Sequence, residues 1–544
     1  MERLTFGRSA GGEGHAVPEV RLNPPPVPEA EIHPKVADPL PGESSDWAFG
    51  GLLAFTALLF FRPQDQIRPL ASLHLAEASA LIGLSAMAAK RLARGLPATR
   101  ITHELIGLVV FGLVLVLTSV TSVWPGGSVE VLTDMYVKVL LIVVLMANSI
   151  TTVKRLDRFG WLVVIASGYL SARAVFDYLR GINLIENGRV AGAVGGMFGN
   201  PNDLALNMVA FLPFAIFFAL RPSARRQRRG LQAGGKPKRE SSTSTPEGSF
   251  RRLAVSAPRR RADAGDRSKM WTWLAAGCAG LMLLAIVFTK SRSGFLGTVV
   301  MLVPVVWTAR RMRPGLGVIL VVALVASIPV LPSSFWQRMG SIFNPAEDVT
   351  GSREARRLVM GEALQVFLER PLTGVGPGQF KNYNPPGRQQ RWHEAHNVWL
   401  QIGSETGIAG VLAFAFLVVA AFEAAATTRR TLGRQLGRAR SRSPGGWRQR
   451  FRTAERHNES PALSPGAARD VATLHLHATA LVAALWGWLV CAIFASVAYN
   501  WTFYYLLGLC IATRDLARAR LEPVPDERVS RARRPRVEEA FARP

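Results

Sequence analysis

The sequence predicts an all-α membrane protein that crosses the bilayer about twelve times. Apolar runs of near-spanning length recur along most of the 544 residues, among them "FGLVLVLTSVTSV", "WLAAGCAGLMLLAIVF" and "GVLAFAFLVVAAF". The hydrocarbon core of a membrane needs roughly 20 apolar residues per helix. Basic residues concentrate in alternate connections between these runs, which is the charge pattern of a polytopic protein.

The predicted spans, in chain order, are 47–62, 71–89, 103–123, 130–149, 158–177, 203–220, 271–289, 293–309, 315–332, 396–423, 472–495 and 498–513. An even number of spans places both termini on the same side of the membrane. The polar segments outside the spans are rich in Pro, Gly, Ser or Arg and are predicted to be disordered. They comprise an N-terminal tail (1–46), two basic loops (221–270 and 424–471) and a C-terminal tail (514–544).

The positive charge of the chain indicates its orientation. The formal net charge is +27, and most basic residues lie in even-numbered connections, as in "RRQRR" and "RRTLGRQLGRARSR". Lysine and arginine mark the cytoplasmic side, so both termini and the two basic loops are predicted to be cytoplasmic. Topology and attraction to anionic lipids account for this charge, and nucleic-acid binding is not predicted. We favour lipid-contacting linkers over docking surfaces for partner proteins as the role of the loops.

The sequence offers no sign of a metal or nucleotide cofactor. The three cysteines, Cys278, Cys491 and Cys510, all lie in apolar segments and suggest neither a disulfide framework nor a metal site. The predicted external segments contain no DxD pair, HExxH motif or P-loop. We therefore expect a reaction that needs no cofactor.

Two short external segments contain polar residues that topology does not explain. In "RVAGAVGGMFGNPNDLALN", Asn200 and Pro201 have the sequence of a helix start, with asparagine as the cap and proline in the first turn. Capping does not explain Arg189 at the beginning of this stretch. In "TKSRSGFLG", Lys290 and Arg292 lie at the predicted external membrane edge, where they either extend to headgroups or bind a phosphate.

The long external loop, 333–395, is predicted to contain an amphipathic helix over "GSREARRLVMGEALQVFLERP". Its apolar side is predicted from Leu358, Leu364, Phe367 and Leu368, and such a helix lies along the membrane surface. Three arginines cluster at its start: Arg353, Arg356 and Arg357. The glycine-rich "LTGVGPGQF" that follows is not a Walker loop and is interpreted as a tight bend.

A histidine stands at the entrance to the tenth predicted span, in "RWHEAHNVWLQIGSETGIAG". Helical spacing would place His396, Gly403, Gly407 and Gly410 on one face. Gly403 and Gly407 form a small-xxx-small pair, which is typical of close helix packing. We expect this packing to hold His396 rigidly at the membrane rim, beside the cations of the external loop.

These residues favour one kind of chemistry. External arginines near the bilayer can neutralise a lipid-linked diphosphate without a metal, and the diphosphate then becomes a good leaving group. Histidine, with an ordinary pKa near 6.5, can take a proton from an attacking hydroxyl. The predicted reaction is glycosyl transfer from a polyprenyl-diphosphate sugar to an alcohol.

The segment from His396 and Asn397 to Gly407 and Gly410 resembles the motif of the O-antigen ligase and O-antigen polymerase superfamily. "FGNPNDLA", "KSRSGFLG" and "PLTGVGPGQF" are also similar to recurring blocks of that group, over roughly 189–423. The resemblance implies a GT-C-like membrane glycosyltransferase domain over 47–513, in the bacterial inner membrane, with a periplasmic site. The implied donor is an undecaprenyl-diphosphate-linked glycan for lipopolysaccharide or exopolysaccharide, and envelope assembly proteins are possible partners.

The resemblance also implies residue roles. His396 is the general base or acceptor-binding residue, and direct attack inverts the anomeric centre. Arg292 and Arg356 match arginines that bind the diphosphate, with Arg189, Arg353 and Arg357 as further candidates.

The acceptor separates two readings within the superfamily. A ligase passes the glycan to lipid A–core, whereas a polymerase passes it to a lipid-linked repeat unit; the histidine motif favours the ligase. A transporter or flippase of lipid-linked sugars is the alternative of another class, but it usually has charges deep inside many spans. A scaffold for envelope assembly is a third alternative, supported only by the basic loops.

Overall fold

The computed structural model describes residues 45–185, 188–192, 198–221, 259–312, 315, 333–340, 352–441 and 465–521. The predicted ninth span, apart from residue 315, lies outside the described residues. So do residues 222–258 and 442–464 of the two basic loops and residues 1–44 and 522–544 of the two tails. The predicted disorder of those segments stays a prediction.

The described residues are almost entirely helical. In chain order the helices are α1 (Asp46–Phe61), α2 (Pro63–Gln66), α3 (Arg68–Ala71), α4 (Leu75–Leu92), α5 (His103–Val120), α6 (Pro125–Glu130), α7 (Lys138–Ser149), α8 (Val153–Arg180), α9 (Pro201–Leu220), α10 (Arg259–Thr289), α11 (Arg292–Met312), α12 (Ser333–Gly340), α13 (Ser352–Glu369), α14 (Val398–Ser441), α15 (Pro465–Ala492) and α16 (Trp501–Leu521). A π-helical turn, Val131–Val137, joins α6 to α7. A short antiparallel hairpin pairs β1 (Leu184–Ile185) with β2 (Arg189–Val190).

The helices confirm a polytopic membrane protein. By length and composition, 7 helices of the described part can cross a membrane, in α5, α8, α9, α10, α11, α14 and α15. Helix α1 is apolar but shorter. Helices α4, α7 and α16 lie at the positions of three further predicted spans. Each is too short or too polar to be counted as a membrane-spanning helix by length and composition. The number twelve therefore stays a prediction.

Two helices form the centre of the bundle. Of the apolar 18-residue stretch of each helix, 83% is buried in α9 and 78% in α15, whereas 44% is buried in α5 and in α14. A helix that is apolar on all sides belongs in the interior of a bundle. Helix α9 packs against α10, α15, α11 and α8, and α15 also packs against α14 and α11. The loops at one end of these two helices therefore meet in the middle of the protein.

Several predicted boundaries are wrong because helices continue into the basic loops. Helix α14 extends to Ser441, inside the loop predicted over 424–471, and α16 extends to Leu521. Apolar residues keep the helical period beyond the predicted end of this span, and Leu432 is fully buried, as are Val471 and Leu474 of α15, which packs against α14. Burial of this stripe against a neighbouring helix compensates for the surrounding arginines.

The amphipathic helix predicted within residues 333–395 is confirmed as α13, but its packed face differs from the prediction. Val359, Ala363 and Val366 are buried, in a cluster with Phe380 and Ala395, whereas Leu364 and Leu368 are 45% and 68% exposed. The packed stripe has helical spacing and faces α14. The larger leucines project away from the protein, where the membrane prediction expects lipid.

Candidate active site

His396 lies just before the first turn of α14, not on the helix as predicted. Asn397 caps the helix: its Oδ1 accepts hydrogen bonds from the N–H groups of Trp399 (2.9 Å) and Leu400 (3.1 Å). His396 has a left-handed backbone with φ of 50°, and its N–H donates to Ser496 Oγ at 2.9 Å. A non-glycine residue in this conformation needs support from its surroundings. The cap and the hydroxyl of Ser496 supply it, so the backbone of the histidine is held at both sides.

The imidazole of His396 is held in its neutral form. The residue is partly buried, and burial lowers its pKa to about 4, with repulsion from Arg356 of α13 and from His393 adding to the effect. A neutral ring at pH 7 can accept a proton. The structure thus brings Arg356 and His396 together, as the sequence predicts.

Gly407 interrupts α14 near its start. Its backbone angles, φ 66° and ψ −165°, lie outside the helical region and are accessible essentially only to glycine. The break leaves the carbonyls of Ser404 and Glu405 without helical partners, and they accept hydrogen bonds from the N–H groups of Val375 and Gly376, each at 2.9 Å. The N–H of Ile408 donates to Pro371 O at 2.7 Å. The glycine-rich bend therefore docks into a gap in the helix.

The predicted packing of Gly403 and Gly407 as one small-xxx-small motif is wrong. A Cβ on Gly403 would lie 3.2 Å from the ring of Phe367 in α13, so this glycine admits a phenyl ring. A Cβ on Gly407 would lie 2.5 Å from Pro371 O, so this glycine admits a backbone. At Gly410 a Cβ would lie 1.8 Å from Thr406 Oγ1. Each glycine accommodates a different neighbour, and none of these contacts involves a second transmembrane helix.

The tight bend predicted for "LTGVGPGQF" is confirmed. Gly374, Gly376 and Gly378 all have positive φ, at 61°, 102° and 71°. The bend positions the N–H of Gly378 to donate to Glu405 Oε2 at 2.9 Å, and the hydroxyl of Tyr499 donates to the same oxygen at 2.9 Å. The buried carboxyl group of Glu405 thus links α14, the bend and the loop before α16.

A cavity of about 990 Å³ opens beside these elements. Seven carboxyl groups line it, among them Asp203, Glu394 and Glu405, together with the aromatic side chains of Trp124 and Trp501. Asp203 lies in the first turn of α9 and is close enough to Glu394 for their charges to interact. Glu394 is two residues before His396, so this cavity adjoins the histidine.

Arg189 assembles the junction of three helices. Its buried guanidinium donates from Nε to Thr289 O at 3.1 Å and from Nη2 to Asn202 Oδ1 at 2.8 Å. Ser291 Oγ donates to the same Asn202 oxygen at 2.9 Å. Asn200 caps α9 by accepting from the N–H of Asn202 at 2.9 Å, and Pro201 occupies the first turn, as predicted. Two protein acceptors thus bind the Arg189 guanidinium, which indicates a positioning role.

A second group of cations lies at the start of α11. Arg292 is its first residue, and Lys290 precedes it with a left-handed φ of 48°. Burial lowers the pKa of Lys290, and the positive charges of Arg338 and Arg189 lower it further. Like charges gathered in this way favour the binding of an anion.

The predicted arginines therefore separate into groups. Arg356 faces His396, Arg292 and Arg189 belong to the group around Lys290, and Arg353 and Arg357 are exposed on α13. In the described part of the chain, His396 makes no hydrogen bond or ion pair with Arg292. The first turn of α9 connects the two groups, because Asn202 binds Ser291 while Asp203 faces Glu394.

Sequence reasoning missed the carboxyl groups of this site. Asp203 and Glu405 lie in otherwise apolar helices, and an ionisable residue inside a membrane segment is itself a sign of function. That signal was available in "NPNDLALN" and "QIGSETG". Ser496 and Tyr499 gave no signal, because only the folded chain brings them to α14. Within the described residues no group of three or more His, Cys, Asp or Glu side chains is arranged to hold a metal ion.

In a comparison with known families, residues 277–415 match the family described as O-Antigen ligase. The matched region contains Arg292, Arg356 and His396 and ends after the glycine break of α14. No curated protein matches the chain. This stretch of the chain is thus similar to the O-antigen ligase family, and the apolar helices make the protein a multi-pass membrane protein.

Proposed function

We propose that the protein transfers a glycan from undecaprenyl diphosphate to an acceptor hydroxyl, as an O-antigen ligase-like enzyme. The observation that carries this proposal is the pair of His396 and Arg356, a neutral imidazole beside a cation at the end of a membrane helix. The family match supports a lipid-linked glycan as the substrate class. The pairing supplies a proton acceptor and a phosphate-binding group in one place.

The cations bind the diphosphate of the donor. Arg356 holds it beside His396, and Arg292 with Lys290 contributes from the start of α11. Guanidinium groups bind phosphate oxygens through paired charge-assisted hydrogen bonds and stay charged at every relevant pH. Charge neutralisation makes the diphosphate a better leaving group without a metal. Arg189 positions this cation group through Asn202 and Thr289.

His396 is the general base. An acceptor hydroxyl gives its proton to the imidazole while its oxygen forms a bond to the anomeric carbon. The bond from that carbon to the diphosphate oxygen breaks, and undecaprenyl diphosphate leaves with the bonding electrons. One displacement of this kind inverts the anomeric centre.

Donor binding also adjusts the base. In the free protein, burial holds the pKa of His396 near 4 with a smaller contribution from Arg356, and an imidazole of this pKa is a weak base. A diphosphate at Arg356 offsets that positive charge and removes this smaller contribution, so the pKa of the imidazole rises. The base therefore becomes stronger when the leaving group is in place.

The acidic cavity binds the sugars. Carboxylates accept hydrogen bonds from sugar hydroxyls, and indole rings offer apolar faces for the faces of sugar rings. Asp203, Glu394, Trp124 and Trp501 provide both kinds of group beside His396. A cavity of about 990 Å³ is large enough for part of an oligosaccharide.

The membrane side follows from charge. Basic residues concentrate toward the end of the bundle opposite His396, including Arg429, Arg430 and Arg434 of α14. The positive-inside rule then places His396 on the periplasmic face of the bacterial inner membrane. Lipid-linked glycans are presented to acceptors on that face.

The acceptor is tested in a deletion strain by gel analysis of surface glycans. A ligase predicts that lipid A–core loses every glycan while lipid-linked chains accumulate. A polymerase predicts that single repeat units remain on lipid A–core while long chains disappear. Normal surface glycans, with normal levels of other envelope proteins, would contradict both assignments.

The base is tested with the full chain in vesicles that contain lipid-diphosphate-linked glycan and acceptor. His396→Ala is expected to lower transfer by about 10²–10⁴-fold, the usual contribution of a general base. His393→Ala is the matched control, because this exposed neighbour is also a histidine and is expected to keep most activity. Full transfer by His396→Ala at a normal thermal unfolding midpoint would exclude the assignment.

A further inference from the structure

A second cavity lies at the opposite end of the bundle from His396. It has a volume of about 1240 Å³ and is formed where α14, α15 and the end of α11 converge. Helix α14 resumes at Ile408 after its break at Gly407, and Arg429 is 21 residues beyond Ile408, roughly 30 Å along a helix that rises 1.5 Å per residue. That distance is about the hydrocarbon thickness of a bilayer, so the two cavities lie at opposite membrane surfaces.

Positive charge dominates this cavity. Six arginines and one histidine line it, and no acidic residue is among the described residues of its wall: Arg221, Arg311, Arg429, Arg430, Arg434, Arg469 and His475. Asp157 neutralises Arg221 through two contacts, at 2.6 Å and 2.7 Å. The other five arginines have no carboxylate within 4.0 Å in the described part of the chain. Arg311 and Arg430 are close enough to Arg429 to repel it.

The arginines are held in this cavity by helix packing. Gly433 of α14 brings the helix close to α15, because a Cβ there would lie 3.3 Å from His475 Cε1. The Nδ1 atom of His475 lies 3.2 Å from the carbonyl oxygen of Arg429, and this contact fixes α14 and α15 relative to each other at this level. Arg469 projects from α15, and its buried Nε has no hydrogen-bond partner among the described residues. An unsatisfied buried guanidinium donor is costly unless an acceptor occupies the space beside it.

The outer wall of the cavity is apolar. Trp307 and Trp486 are 54% and 46% exposed, and Phe422 packs against Trp486 with ring centroids 5.1 Å apart. The guanidinium of Arg311 lies 4.8 Å above the ring of Trp307. Tryptophan at this depth is typical of the membrane–water interface. The wall is thus suited to acyl chains, while the arginines behind it are suited to phosphate.

We propose that this cavity binds an anionic glycerophospholipid from the leaflet opposite the active site. Its phosphate lies among Arg430, Arg434 and Arg469, and its acyl chains lie along Trp307 and Trp486. Basic pockets between membrane helices bind anionic headgroups in this way. A free phosphate ion shares the headgroup chemistry, but it leaves the aromatic wall uncovered and the cavity mostly empty. The inference does not depend on the proposed transfer reaction.

Thermal unfolding of the full chain in uncharged detergent tests the proposal. Dioctanoyl phosphatidylglycerol is expected to raise the unfolding midpoint with a saturable dependence, because a ligand of the folded state stabilises it. Dioctanoyl phosphatidylcholine and inorganic phosphate are expected to leave the midpoint nearly unchanged. An equal effect of phosphatidylcholine would mean apolar adsorption only, and an equal effect of inorganic phosphate would mean a free-anion site; either result overturns the proposal.

The triple variant Arg430→Gln, Arg434→Gln, Arg469→Gln removes the headgroup contacts. Its apparent dissociation constant for phosphatidylglycerol is expected to be at least about tenfold weaker than that of the wild type. The matched control is Arg94→Gln, Lys154→Gln, Arg158→Gln, which removes the same charge from exposed positions outside the cavity and is expected to bind normally. A triple variant that responds like the wild type would disprove the site.

The lipid-free protein gives an independent readout. Neutral glutamines relieve repulsion among the arginines, so the triple variant is expected to unfold at the same or a higher temperature without lipid. If it does not fold, the single variant Arg434→Gln, at an exposed position, takes its place. Normal lipid binding by that folded single variant, together with loss of stability in the triple variant, would indicate a structural cluster and exclude a lipid site.

Discussion

The histidine and the glycine of the family motif lie on one short segment, yet their surroundings differ in kind. Around Gly407 the backbones of α14 and the bend at 371–378 exchange hydrogen bonds, and the enclosed carboxyl group of Glu405 accepts from two further donors. Around His396 the side chain is partly open, uncharged and faced by Arg356. The comparison teaches that one motif carries two functions. The glycine end constructs the site, and the histidine end is the part that we propose performs its chemistry.

The strongest test of this division is Gly407→Ala. We expect loss of the folded protein, because alanine must adopt a strained backbone and its Cβ would lie 2.5 Å from Pro371 O. The combined penalty is of the order of 3 kcal/mol or more. Membrane abundance and the unfolding midpoint measure it. Gly437→Ala is the control on the same helix, since nothing lies within 4 Å of the added methyl group. A normally stable Gly407→Ala variant would contradict the division of the motif into a structural glycine end and a reactive histidine end.

Two arginines provide the next test. Arg356→Ala is expected to lower kcat/KM by roughly 10²-fold at an unchanged unfolding midpoint, with partial recovery in Arg356→Lys, because the residue acts on the donor. Arg189→Ala is expected to lower the unfolding midpoint instead, since Thr289 and Asn202 lose a buried donor, at about 1–3 kcal/mol. Activity assays and calorimetry on both variants check this. Interchanged outcomes would mean that Arg189 binds the donor and Arg356 supports the fold.

The pH dependence sharpens the role of His396. The free protein is expected to lose kcat/KM only as the pH falls through about 4, because the imidazole must be unprotonated. Donor binding offsets Arg356, so the midpoint of the kcat profile is expected at a higher pH. The free energy of unfolding also depends on this proton. Because the pKa of His396 is lower in the folded chain, the unfolded chain binds the proton more readily between about pH 6.5 and pH 4, so the folded protein loses stability as the pH falls through that range. If the pH profiles of kcat and kcat/KM have the same midpoint, donor binding does not change the pKa of His396.

The smallest effect is expected at the exposed arginines of α13. Arg353→Ala and Arg357→Ala are each expected to change kcat/KM by less than about threefold, because exposed charges are screened by solvent and salt. Initial rates at two ionic strengths measure this contribution. A decrease in kcat/KM as large as that of Arg356→Ala would mean that Arg353 or Arg357 also acts on the donor, and Arg356 would no longer differ from them.

Individual residues show how far the sequence could predict the site. The sequence predicted His396, Arg292 and Arg356 as site residues, because titratable groups at the ends of apolar segments are unusual, and their roles stay a prediction. It predicted the Asn200 cap and the tight bend, because both depend on neighbouring residues. It assigned Gly403 and Gly407 to one helix face, because spacing alone does not reveal a broken helix. It did not find Ser496, Tyr499 or the link from Arg189 to Asn202, since those partners are distant in the chain.

The sequence by itself determined that this is a helical membrane protein, and it predicted which end of the protein holds the reactive groups. Hydrophobic length and the distribution of arginine determine these properties, and both are properties of segments. Only the tertiary structure decided that the bend at 371–378 docks into a gap at Gly407, that carboxyl groups line the cavity beside His396, and that six arginines converge at the opposite end. The physical reason is that hydrogen bonds and charge interactions depend on distances between side chains, and packing alone brings distant residues within those distances.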